Sequence, residues 1–148
     1  MQDKYAGDIG DFGKFILLRQ ISRMGSSQLR LGINWYLTDR TEHKSNDGRH
    51  VDYLQNKSEY RDCDPILYNK LRQIVSNSRS VRALERSQIL SEGTVFYSEP
   101  TPFRSTNFSD RVTYRDKWFE KSLEQLRPVQ ILFLDPDNGI QTPKVRKT

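Results

Sequence analysis

Three apolar segments of the chain are each followed by a carboxylate, and these acids are the first candidates for chemistry. Carboxylate oxygens accept hydrogen bonds from amines and also bind hard cations. If the segments are parallel strands, a ligand would bind beyond their carboxyl ends, and the acids would share one site. The competing interpretation is that they are helix caps or solvated turn residues. The segments and their acids are 29–37 with Asp39, 94–98 with Glu99, and 129–134 with Asp135.

The motif Asp135-Pro136-Asp137-Asn138 follows the most apolar of these segments. A hydrophobic strand that ends in Asp-Pro resembles the catalytic motif of class I S-adenosylmethionine-dependent methyltransferases, especially those that methylate amines. Asp135 and Pro136 match the first two positions, whereas Asp137 and Asn138 replace a second proline and an aromatic residue. The resemblance implies S-adenosylmethionine as cofactor and a nucleic-acid base as target. It also implies that these four residues form the catalytic end, where the exocyclic amine of a flipped base donates hydrogen bonds.

A second motif opens the chain, where Gly7 and Gly10 precede an apolar helical pattern that contains Lys14. Backbone N–H groups at a helix N-terminus can hold an anion, and a lysine beside them would assist. Against this, Asp8 and Asp11 would repel a phosphate, and glycines before a helix are commonly turn residues. Together with the strand-end acids, this opening gives the candidate cofactor-binding residues: Gly10, Lys14, Asp39 and Glu99.

The two ends of the chain carry a closer resemblance. Residues 4–18 are similar to the opening of some large-subunit rRNA adenine methyltransferases. Together with residues 34–37 and 133–139, this opening resembles a family of uncharacterised bacterial and phage proteins, which has a KYxGDxGDFxK opening and an FLDPDNG motif. Methyltransferases carry a glycine-rich turn after their first strand, and residues 35–39 contain no glycine.

Two other functions remain open from the sequence. One is a non-catalytic phage or mobile-element protein of the same fold that binds a nucleic acid, a nucleotide or a host protein. Basic and aromatic residues between 97 and 115 are of the types that contact single-stranded nucleic acid, although they equally suit a solvated surface. The other is a metal-dependent nuclease, in which Asp135 and Asp137 with Glu99 or Asp39 bind a divalent cation.

The periodicity of apolar residues predicts the elements that carry these residues. Asp11 is expected to cap the first helix, and Asp64-Pro65 to begin another. The continuous apolar run 129–134 predicts a central strand that is buried on both faces. The other expected elements are a strand over 29–37, a polar loop over 38–62, a helix over 80–89, a strand over 94–98, a polar loop over 101–113 and a helix over 114–126.

This order of elements indicates a single α/β domain over residues 1–148, a Rossmann-like three-layer sandwich similar to class I methyltransferases. Its sheet is expected to be small, mostly parallel, and shortened or cut at the C-terminus. No apolar run approaches the length of a membrane span, and the polar opening residues do not form a secretory signal. The single cysteine excludes an internal disulfide. We therefore expect a cytoplasmic protein, whose net charge of +5 weakly favours an anionic partner.

Overall fold

A computed structural model of the chain describes residues 1–24, 29–38, 48–55, 57–101 and 108–136. Two short 3₁₀ helices, Asp3–Tyr5 and Asp52–Leu54, accompany the helices and strands. The helices are α1 Ile9–Ser22, α2 Ser58–Cys63, α3 Pro65–Asn77, α4 Val81–Arg86 and α5 Phe108–Leu126. The strands are β1 Leu31–Asn34, β2 Val95–Tyr97 and β3 Ile131–Leu134.

The three strands form one parallel sheet in the order β2-β1-β3, which confirms the α/β class and the parallel sheet. Gly32 of β1 is in register with Val95 on one side and with Leu132 on the other. All four residues of β1 are buried, so β1 is the central strand. The chain passes from β1 to β2 on one side and then to β3 on the other. The carboxyl ends of β1 and β3 therefore border the crevice in which such sheets bind ligands.

The prediction that residues 129–134 form a central strand buried on both faces is wrong. β3 is an edge strand among the described residues, and its burial alternates. Ile131 and Phe133 pack against the main core, whereas Leu132 and Leu134 are 43% and 45% exposed. Helix α5 covers the other strands instead: Gln125 donates to the carbonyl of Phe96 at 2.7 Å. An apolar run indicates a strand but does not say whether a neighbouring element covers its second face.

Helix boundaries follow from local hydrogen bonds, and three predictions about helices and loops need correction. Asp8, not Asp11, caps α1, because its Oδ1 accepts a hydrogen bond from the Asp11 amide at 3.0 Å. Helix α5 begins at Phe108, inside the expected polar loop 101–113. The expected loop 38–62 contains the 3₁₀ helix Asp52–Leu54 and all of α2 except its last residue, Cys63. The Asp64 cap with Pro65 at the first position of α3 is confirmed.

The main core lies on one face of the sheet, between the strands and helices α1 and α3. Trp35 stacks on Phe96 with ring centroids 6.1 Å apart, and Phe15 of α1 meets Trp35 edge-on. On the other face, Tyr97 and Trp118 form a smaller cluster under α5. No helix in the described ranges is long and apolar enough to cross a membrane.

Candidate functional site

Asp135 lies directly after β3, at the carboxyl edge of the sheet. Its amide donates to the carbonyl of Asn34 at 3.0 Å, so the ladder between β1 and β3 extends by one residue. The side chain is only 12% exposed, while Pro136 next to it is exposed. The strand ladder therefore fixes the backbone that carries this carboxylate.

Lys14, from the second turn of α1, binds this carboxylate. Its Nζ lies 2.8 Å from Oδ1 of Asp135 and 3.4 Å from Oδ1 of Asp11. Burial acts to lower the pKa of Lys14, but its hydrogen bond and attraction to Asp135, with those to Asp11, outweigh burial and raise it. The structure thus brings together Lys14 and Asp135, two residues that the sequence assigned to different parts of a site.

Asp11 is the buried member of this group, with 1% of its surface exposed. Its Oδ2 accepts a hydrogen bond from the Gly7 amide at 2.9 Å. Burial raises the pKa of Asp11 to about 6, and the negative charges of Asp8 and Asp135 act in the same direction. The Lys14 ammonium and the Gly7 amide oppose this rise. Burial therefore disfavours the charged form of Asp11, and the contact with Lys14 is the largest influence that favours it.

The turn before α1 is fixed by side chains from elsewhere in the fold. Gly7 has a φ of +74°, and its carbonyl accepts a hydrogen bond from the Tyr53 hydroxyl at 3.0 Å. Arg79 donates to the carbonyls of Ala6 and Gly48. The Gly7 amide, on which the predicted anion site partly depends, is engaged by Asp11. At Gly10, an added Cβ would lie 3.2 Å from Oδ1 of Asp8.

Glu99 follows β2 and lies on the opposite side of β1 from Asp135. Its Oε2 accepts from the Tyr97 hydroxyl at 3.3 Å and lies 3.4 Å from Nζ of Lys121. Burial, with the nearby charge of Glu99, raises the pKa of Tyr97 to about 12. Because Glu99 follows β2, it stands at the same carboxyl edge of the sheet as Asp135. Its side chain is 54% exposed and therefore open to solvent.

Three residues at this edge were missed by sequence reasoning. Asp11 was assigned to a cap, although its place three positions before Lys14 on one helix face was a usable signal. Glu85 accepts from the Trp35 indole at 2.8 Å and from the Ser98 hydroxyl, and no local pattern indicates this. Tyr36, two residues after the end of β1, has a φ of +47°, a conformation that glycine normally adopts.

Asp39, Asp137 and Asn138 lie outside the described residues, so their predicted roles stay predictions. Within the described part of the chain, no group of three or more His, Cys, Asp or Glu side chains could hold a metal ion. The ammonium of Lys14 also supplies Asp135 with the positive charge that a cation would otherwise bring.

The chemistry available here is recognition of a hydrogen-bond donor. An ionised carboxylate has about four lone-pair positions on its two oxygens, and Lys14 donates to one oxygen of Asp135. Searches among protein families, curated proteins and solved structures found no match to this chain.

Proposed function

We propose that the protein is a methyltransferase-like protein that acts on or binds nucleic acid, with the Asp135-Pro136 strand end as its site. The observation that carries this proposal is the contact between Lys14 and Asp135. A carboxylate at the carboxyl end of β3 already accepts an N–H from an amine, at 2.8 Å. The exocyclic amine of a base would make the same kind of hydrogen bond.

The strand order supports the same proposal. In an open parallel sheet the ligand crevice lies where the chain reverses its direction of winding, which here is between β1 and β3. An acid after the neighbouring strand commonly binds ribose hydroxyl groups in nucleotide-binding folds of this type. Glu99 follows β2 and is solvent-accessible, so we assign it to the ribose of S-adenosylmethionine.

The charge near the strand end supports a neutral or positive group at this point, such as a base amine or a sulfonium ion, and not a phosphate. Asp8, Asp11 and Asp135 carry three carboxylates, against the two positive charges of Lys14 and Arg79. A phosphate would be repelled by this group, whereas a sulfonium ion would be attracted. The sulfonium group of S-adenosylmethionine, when bound, supplies the methyl group that is transferred.

The turn after β1 fits such a cofactor in its backbone. Tyr36 has the left-handed conformation that a glycine turn would provide at this point. Its ring, however, packs edge-on against Trp118 with centroids 4.9 Å apart. A glycine at this position would carry no ring, so Tyr36 departs from the glycine turn of methyltransferases. This departure favours a second candidate, a protein of the same fold that binds a nucleic acid, a nucleotide or a host protein without catalysis.

Methyl transfer to nucleic acid tests the first candidate. The full chain is incubated with S-adenosylmethionine labelled in its methyl group and with single-stranded DNA, duplex DNA or RNA. We expect label in at least one nucleic acid, and a rate at least about 100-fold lower for Asp135→Asn, as for loss of one transition-state hydrogen bond. Asp110→Asn, an exposed acid of α5, is the control and should keep the full rate. Absence of label from all three substrates, or an unchanged rate for Asp135→Asn, would contradict catalysis at this site.

A further inference from the structure

A small cavity lies at the amino end of the sheet, on the far side from Asp135. It is formed where α1 ends and where the chain approaches β2, and its volume is about 130 Å³. A cavity needs roughly 10–15 Å³ to hold one water, so this cavity has room for a larger group. Its lining residues are Arg19, Ser22, Arg23, Ile89, Leu90 and Ser91.

Most of the carbonyl groups at this cavity already accept hydrogen bonds from described residues. The carbonyl of Ile89 accepts from Arg19 at 2.6 Å, and the carbonyl of Ser91 accepts from the amide and hydroxyl of Thr94. The last carbonyls of α1 are engaged too. The donors to the carbonyls of Arg19, Gln20, Ile21 and Ser22 are, in that order, the Ser22 hydroxyl and the amides of Arg23, Met24 and Leu29.

Two polar groups at this cavity have no partner among the described residues: the Ser91 hydroxyl, which can donate or accept, and the Arg23 guanidinium, which can only donate. The Ser91 hydroxyl is buried and has no hydrogen-bond partner among the described residues. The Arg23 side chain is exposed and makes no ion pair within the described ranges. A buried hydroxyl without a partner costs free energy, so its presence indicates a partner that completes the site. Next to the Arg23 guanidinium, which can only donate, that partner is expected to carry acceptor oxygens.

The charged side chains around the cavity also favour a ligand that carries acceptor oxygens. Arg19 is nearly buried, and its Nε lies 2.9 Å from Oδ2 of Asp64, so this pair is neutral overall. Arg23, which is exposed, adds a positive charge at the rim of the cavity. A group with several acceptor oxygens and a negative charge would satisfy both Ser91 and Arg23.

We infer that this cavity binds a phosphate group, held by the guanidinium of Arg23 and the hydroxyl of Ser91. The phosphate belongs either to a free small molecule or to the backbone of a nucleic acid. This site is separate from the carboxyl edge, where the acidic residues oppose a phosphate, and it does not depend on the proposed methyl transfer.

Calorimetric titration of the full chain with inorganic phosphate tests this inference. We expect saturable binding with a dissociation constant on the order of 1 mM, as for a few charged hydrogen bonds. Arg23→Gln and Ser91→Ala should each weaken binding about tenfold, and Arg72→Gln, an exposed arginine on α3, should leave it unchanged. Circular dichroism confirms that each variant is folded.

A ten-nucleotide single strand in the same buffer identifies the source of the phosphate. Tighter binding of the oligonucleotide, weakened by Arg23→Gln, would assign the cavity to a nucleic-acid backbone. Binding of phosphate without the oligonucleotide would assign it to a small molecule. No saturable binding of phosphate to the unmodified chain, or equal binding by all three variants, would overturn the inference.

Discussion

The ammonium of Lys14 on α1 lies 2.8 Å from the carboxylate of Asp135 at the end of β3, although 121 positions separate the two residues in the chain. This contact joins the opening motif to the Asp-Pro motif and brings the buried Asp11 into the same group. The candidate site is therefore built by two distant segments, and each can be tested separately.

Replacement of Lys14 by methionine should destabilise the fold. The substitution removes the positive charge that both Asp11 and Asp135 contact, and it leaves Asp11 buried with only the Gly7 amide. We expect the free energy of unfolding to fall by about 1–3 kcal/mol in chemical denaturation. Lys117→Met, an exposed lysine of α5, should change it by less than about 0.5 kcal/mol. Equal effects of the two substitutions would show that the Lys14 contacts add no stability.

The stability of the protein should depend on the ionisation of Asp11. Its pKa rises from 3.8 to about 6 on folding, so the native state binds the proton more tightly than the unfolded state. The contribution of Asp11 to the free energy of unfolding must therefore decrease as the pH rises from about 4 to 6 and stay constant above that. Asp11→Asn should gain about 2–3 kcal/mol relative to the unmodified chain between pH 4 and 7.

Denaturant titrations of both proteins at several pH values measure this difference. Asp110→Asn, whose side chain is exposed, is the control for loss of a surface charge. If the difference between Asp11→Asn and the unmodified chain were constant with pH, Asp11 would have an ordinary pKa in the folded protein.

The two faces of β3 should differ in their tolerance of substitution. Phe133 packs against the main core, whereas Leu132 is 43% exposed. Phe133→Ala should lower the free energy of unfolding by about 2–4 kcal/mol, and Leu132→Ala by less than about 1 kcal/mol. Thermal or chemical denaturation provides the comparison. Similar losses would mean that an element outside the described residues covers the Leu132 face.

Two glycines with positive φ provide a matched pair for backbone effects. At Gly48, φ is +76° and an added Cβ would overlap the carbonyl of Lys4. At Gly93, φ is +79° and no atom lies within 4 Å of such a Cβ. Gly93→Ala should cost about 1–2 kcal/mol from the backbone conformation alone. Gly48→Ala should cost more, because the turn must also move away from Lys4, and equal melting temperatures would contradict this.

Local signals predicted most elements of the fold but not their neighbours. Asp64-Pro65 and Ser80 begin helices because a side chain caps the amides that follow within three residues. The apolar run that ends at Leu134 predicted a strand correctly. Its position at the edge depends on the strand order, and the exposure of its second face depends on where α5 packs; no local pattern contains either.

In the candidate site, too, local signals predicted single residues but not the contacts between distant ones. The acids after β2 and β3 were found from their positions next to apolar segments. The pairing of Lys14 with Asp135 was not, because it depends on how α1 packs against the sheet. Asp11 was misassigned because an Asp before an apolar helical pattern is typical of a cap, and Asp8 takes that position.

Calorimetric titration with S-adenosylmethionine and its demethylated product tests the central claim most directly. The proposal predicts one saturable site with a dissociation constant on the order of 10 μM, weakened about tenfold by Glu99→Gln. Glu92→Gln, at an exposed acid that precedes β2, should leave binding unchanged. The absence of binding heat with either compound, at concentrations at which the chain is folded, would contradict a methyltransferase-like site and favour the non-catalytic binding protein.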